Sequence, residues 1–142
     1  MFSTIFAVCR RWHDLCMLCN MMIKTVDALR KVIATANGDL YIRWSRGPKL
    51  DRKQGVSRDY VSGYSHAGLS AVPVDADWAT DDKWLARRVM EYVFLRLKDS
   101  AIGCHIYRAE RVGTDSDGYA LINNFRLIGT LDEALIANLK HA

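Results

Sequence analysis

From Asp39 to Ser45 the chain alternates, with Leu40, Ile42 and Trp44 on one side and Tyr41, Arg43 and Ser45 on the other. That period of two predicts a strand. Its second face is polar, so it looks outward or into a cleft. Upstream, Val26, Leu29, Ile33 and Ala36 recur at helical spacing behind Thr25. Thr25 suits a helix N-cap, and Asn37-Gly38 suits a stop because glycine takes the left-handed conformation cheaply. Gly47-Pro48 breaks the strand. Residues 49–67 hold no sustained period and read as a long loop, a length that points to function or disorder.

Gly68 to Val74 reads as a short strand, and Asp75 to Ala79 as a link. The longest helix is expected over Asp81 to Lys98, capped by Thr80, with Asp81 and Asp82 in the first turn where the helix dipole favours them. Leu85, Val89, Tyr92 and Arg96 trace one ridge, widened by Val93, Phe94 and Leu97. Trp78 and Trp84 read as core or lid aromatics. Ile102 to Val112 and Tyr119 to Ile128 pair across a turn at Asp115-Ser116-Asp117-Gly118. Asn123-Asn124 marks a bulge or break in the second strand. Gly129-Thr130 then caps a last helix, Leu131 to Lys140, with Leu131, Leu135 and Leu139 as its core stripe. This order predicts an α+β fold. Its sheet is small, mixed or antiparallel, with about four strands covered by three helices. Residues 22–142 form one domain, preceded by an N-terminal helical extension over 1–21.

That extension differs from the rest. MFSTIFAVCRRWHDLCMLCN is apolar and rich in cysteine. It lacks the charged start and the cleavage site of a secretory signal. Cys9, His13 and Cys16 share a helical face, and Cys19 would complete four soft ligands, but the spacing fits no known finger. An amphipathic helix on the domain fits better, as does a true start at Met21 or Met22. Four cysteines, three of them in the first twenty residues, do not make a disulfide framework and imply a reducing cytoplasm. No apolar run reaches the roughly 18 residues of a membrane span.

A chain of 142 residues with half its residues hydrophobic has ordinary globular composition. Charge changes the picture more. Residues 41–60 carry six basic and two acidic side chains, a net +4 that equals the net charge of the whole chain. A local basic field attracts an anionic small molecule, an acidic partner or nucleic acid. Within it Arg43 sits on a rigid strand, and its planar fork suits phosphate or carboxylate. Arg46 and Arg58 add donors. Ser45 shares the polar strand face, and Ser70 supplies a hydroxyl from the next strand. Tyr60 is placed to stack, and His66 is the histidine embedded in the loop. The alternative role for Arg43 is an ion pair with a structural carboxylate such as Glu110 or Asp59. There is no P-loop, G-x-G-x-x-G, nucleophile elbow or H-E-x-x-H, so no motif names a cofactor, a metal or a reaction.

Two resemblances follow from these residues. Arg43, Ser70 and Glu110, in that chain order, resemble the Arg-Ser-Glu scheme of ADP-ribosyltransferases. That resemblance implies an arginine holding the phosphates of NAD, a supporting serine, and Glu110 as the catalytic residue. The S-T-S and Glu-x-Glu signatures are missing. More of the chain, about residues 38–142, resembles a family of small uncharacterised bacterial proteins known as a domain of unknown function. The phrases LYIRWSRGP, SRDYVSG, HAGLSAVPVD and ERVG-x-DSDG carry it. It implies a bacterial cytosolic domain and no assigned activity. Three readings stay open: a domain binding a phosphate- or nucleotide-like anion, a transferase acting on NAD, and a protein-interaction or nucleic-acid module.

Overall fold

The computed structural model describes residues 21–58 and 62–141. The readings of the first twenty residues, and those of Asp59 and Tyr60, lie outside that range. The described elements are β1 (Met22–Ile23), α1 (Val26–Ala34), β2 (Leu40–Ser45), α2 (Pro48–Gln54), β3 (Leu69–Pro73), α3 (Asp82–Val89), β4 (Gly103–Thr114), β5 (Ala120–Leu131) and α4 (Glu133–Lys140). Short 3-10 segments cover Ala76–Thr80 and Val93–Leu97. The class is α+β, with four helices and a mixed five-stranded sheet among the described residues.

Strand order is β1-β5-β3-β2-β4, and β4 also pairs with β5. The pairings β2–β4, β4–β5, β5–β3 and β3–β2 therefore close a circuit of four antiparallel strands. Closure removes the open sheet edges that invite unwanted pairing. β1 adds in parallel to the end of β5, Met22 beside Thr130. One hydrophobic cluster packs the outer face of this circuit under the helices, from Leu29 and Ile33 to Trp44, Leu85, Val89, Ile106 and Leu135. A second, smaller cluster of Tyr41, Leu69, Ala71, Tyr107, Ala120, Ile122 and Leu127 comes from all four strands and fills the inside.

Local sequence explains most elements. Thr25 caps α1, its hydroxyl accepting from the Ala28 N–H at 3.1 Å. The cap of α3 is Asp81 rather than Thr80, its carboxylate accepting from Lys83 and Trp84; a carboxylate there also meets the positive end of the helix dipole. Asp132 caps α4, so Thr130 and Leu131 belong to β5. Asn124 has φ 48°, and the pairing steps from Arg108↔Arg126 to Glu110↔Asn123, which leaves a bulge at the Asn pair.

The long helix expected over Asp81 to Lys98 stops at Val89. A tertiary contact stops it. The indole N–H of Trp44 donates to the Val89 carbonyl at 3.0 Å, and Val93 N–H turns to Met90 O instead. The chain then tightens into the 3-10 segment that holds Tyr92 and Leu95 over the sheet.

Candidate functional site

The stretch expected to be a loop begins as a helix. Pro48 occupies its first turn, where a missing N–H costs nothing, and Gly55 follows its end. Gly47, at φ 124°, makes the turn from β2 straight into α2. That backbone is open to glycine and strained for other residues. The reversal folds α2 back over the polar face of β2 and aims Asp51 at it.

Asp51 is 2 % exposed and sits at the centre of a buried polar cluster. Its Oδ1 accepts from Arg43 Nε at 3.0 Å. Its Oδ2 accepts from Ser45 Oγ at 2.7 Å and from the Tyr107 hydroxyl at 2.5 Å. Ser45 Oγ in turn accepts from Gly47 N–H at 3.2 Å. Burial pushes the Tyr107 phenol well above its ordinary range, and its bond to Asp51 adds to this, so it stays a donor. The structural carboxylate of Arg43 is therefore Asp51, not Glu110. A buried ion pair of this kind holds only if its other lone pairs are satisfied, and here each oxygen of Asp51 is.

His105 lies beside this cluster, opposite Arg43 across β2 and β4. The Ser45 carbonyl, 3.1 Å from Nε2, can only accept, so that nitrogen carries the proton; the Thr130 hydroxyl lies 2.9 Å from Nδ1. Burial pulls the imidazole below its ordinary value, against a smaller raising effect of the Ser45 carbonyl. The unfolded chain then takes up a proton near pH ~6.5 while the fold resists it. Stability is full above that pH and is expected to fall as pH drops from about 6.5 toward the folded value, by at most ~1.4 kcal/mol per pH unit. Urea titrations at several pH values, on wild type and His105→Gln, check this. Identical pH slopes in the two proteins would refute it.

The sheet opens next to this cluster. β2 and β3 pair only at Tyr41↔Pro73 and Ile42↔Val72. Beyond that point side chains take the place of the ladder. Arg43 Nη1 donates to the Ser70 carbonyl at 2.7 Å, and Ser70 N–H donates to Ser57 Oγ at 2.9 Å. The split is a pocket of about 150 Å³ bounded by Arg43, Trp44, Ser70, Tyr92, Leu95 and Tyr119. Tyr92 and Tyr119 meet edge to face, ring centres 5.4 Å apart and hydroxyls in contact. The Arg43 side chain is 14 % exposed. With Nε and Nη1 engaged, its Nη2 makes no hydrogen bond among the described residues. A second cleft, between β2 and α2, shares Arg43 and Trp44 and adds Arg46, Lys53 and Gln54.

The structure thus brings together Arg43, Ser45 and Ser70, with Arg46 on the adjoining cleft. Arg46 Nε also donates to Asp99 at 2.6 Å, an exposed pair. Arg58 and His66 lie apart, on a flap closed by the Arg58↔Ser65 bridge and by His66 N–H on Ser57 O; neither bounds the two clefts. Glu110 is exposed and accepts from Asn124 Nδ2 at 3.1 Å. The carboxylate beside Ser70 is Asp115, which accepts from Ser70 Oγ at 3.2 Å. Asp51, Tyr107, Asp115 and the two tyrosines were not singled out by sequence. Asp115 read there as a turn residue and Tyr92 as part of a helical ridge, and Asp51 stands three residues after a proline that suits a helix start.

Among the described residues, no group of three or more His, Cys, Asp or Glu is placed to hold a metal ion, and no helix is long and apolar enough to cross a membrane. The model of a family described as "Family of unknown function (DUF6098)" matches residues 19–142. No curated protein and no solved structure matches the chain.

Proposed function

The chain belongs to this family of unknown function, and we propose that its domain is a binding module for a small anionic ligand seated in the split between β2 and β3. The observation that carries this reading is the state of Arg43. Its guanidinium is fixed by Asp51 and the Ser70 carbonyl, its Nη2 makes no hydrogen bond among the described residues, and Arg43 lines the pocket. A fixed donor loses little side-chain entropy on binding. Two of its five N–H groups are used, one on Nε and one on Nη1, which leaves the N–H groups of Nη2 for an anionic oxygen of a carboxylate or a phosphate ester. The pocket volume is near the 150 Å³ of a cavity that takes benzene. A ring-sized body between Trp44, Tyr92 and Tyr119 fits that space. Arg46 and Lys53 on the neighbouring cleft add the positive field that draws the ligand in.

The second reading, transfer of ADP-ribose from NAD, is favoured by one observation: Arg43 and Ser70 line the same pocket. Glu110 does not line it, so Asp115 would have to supply the acid. Calorimetric titration with benzoate, ribose 5-phosphate, AMP and NAD tests both readings. Binding of at least one of these anions is expected in wild type. Leu95→Trp, at a partly exposed position, is expected to fill the split and weaken that binding at least about tenfold, or 1.4 kcal/mol, with the Tm kept. No binding in wild type, or equal binding in Leu95→Trp, sinks the binding reading. NAD consumption that Asp115→Asn abolishes would replace it with the transferase. A steep loss of duplex DNA or RNA binding with salt would instead favour the nucleic-acid alternative.

A further inference from the structure

Another arginine, far from Arg43 in the chain, is held by two aromatic rings and makes no hydrogen bond among the described residues. Trp84 and Arg88 are one turn apart on α3, so their side chains share a face. The Arg88 guanidinium carbon lies 5.2 Å from the ring centre of Trp78 and 5.6 Å from that of Trp84. Both are within cation–π range. Trp78 is 3 % exposed and Trp84 41 % exposed.

No N–H of Arg88 makes a hydrogen bond among the described residues. Its Nε is buried and unpaired. The nearest carboxylate, Glu91, stands 3.6 Å from Nη1, beyond hydrogen-bond range. Arg43, Arg96 and Arg108 are buried at least as deeply, yet each puts an N–H on a carboxylate. A cation removed from water with no acceptor is costly. Arg88 is thus dehydrated at Nε, clamped by two rings, and left with a single long ion pair to Glu91 at Nη1.

Arg88 lines an open groove with Gly38, Pro73, Asp75, Trp78 and Trp84. The adjoining chain carries Asp75, Asp77, Asp81 and Asp82. Their negative field opposes a multiply charged anion. We propose that this groove is a binding site for a small monocarboxylate. The carboxylate takes the terminal N–H groups of Arg88, and a flat apolar body lies on the open part of Trp84. The aspartates exclude dianions. This site is separate from the β2–β3 split and does not depend on it.

The test is an NMR titration of the full chain, following the indole N–H resonance that Trp84→Phe removes. Sodium benzoate is expected to shift it saturably, and the neutral benzamide is not. Phthalate, with a second carboxylate, is expected to bind more weakly than benzoate. Arg88→Met keeps an apolar stem between the rings and removes the charge. It is expected to weaken benzoate at least about tenfold, the loss of a charged hydrogen bond, with an unchanged Tm. The same titration in Leu95→Trp should be unaffected, which separates this site from the split. Absence of a saturable shift, equal affinity for benzamide, or full binding by Arg88→Met would overturn the proposal.

Discussion

Asp51→Ala is expected to destabilise the domain by about 3–5 kcal/mol, the cost of removing one partner from a buried ion pair. Three donors lose their acceptor at once: Arg43 Nε, Ser45 Oγ and the Tyr107 hydroxyl. The guanidinium is the expensive one, because it stays buried with its charge uncompensated. Total stability of a domain is about 5–15 kcal/mol, so at the low end of that range the variant would retain about 0–2 kcal/mol and be up to about half unfolded. Urea denaturation measures the loss. The double variant Arg43→Met/Asp51→Leu provides the control. It removes both charges and is expected to recover part of the loss, since a buried pair exchanged for apolar groups is often neutral. A cost below about 1 kcal/mol for Asp51→Ala would show that Asp51 is not the centre of the cluster.

Gly68→Ala is the second large effect, at about 3 kcal/mol. A Cβ on Gly68 would stand 2.5 Å from the Ile122 carbonyl oxygen and 3.0 Å from its carbon and nitrogen. Those are backbone atoms, and they cannot give way. Ile122 is paired on both sides, to Leu69 of β3 and to Arg111 of β4. Relief would have to come from β3, and β3 carries Ser70, the carbonyl that fixes Arg43. The substitution is therefore expected to lower the denaturation midpoint and to loosen the split as well. Wild-type stability in Gly68→Ala, by the same urea measurement, would mean that β3 moves freely against β5.

The class and most of the elements can be read from local signals in the chain. Thr25 and the spacing of Leu29 and Ile33 place α1. The alternation from Leu40 to Ser45 places β2 and says correctly that its second face is polar. These signals are local: a cap, a period, a turn residue. Length and composition added the expectation of an ordinary globular core. Net charge located the basic stretch and Arg43 within it.

Tertiary structure decided what the polar face is for. Arg43, Ser45 and Tyr41 alternate as any exposed strand face would, and nothing local says that α2 covers them. Asp51 meets Arg43 because Gly47 turns the chain back, and Tyr107 meets Asp51 from 56 residues away. The same holds for the end of α3. Its apolar ridge continues through Tyr92 and Arg96, but the Trp44 indole, 45 residues earlier, takes the Val89 carbonyl and ends the helix. Strand pairing is also non-local, so closure of β2, β4, β5 and β3 and the split between β2 and β3 appear only in three dimensions. Side-chain charge is written in the chain, whereas the partner of each charge depends on contacts between distant segments. For that reason Arg43 was legible as a residue, and its partner Asp51 and its pocket were not.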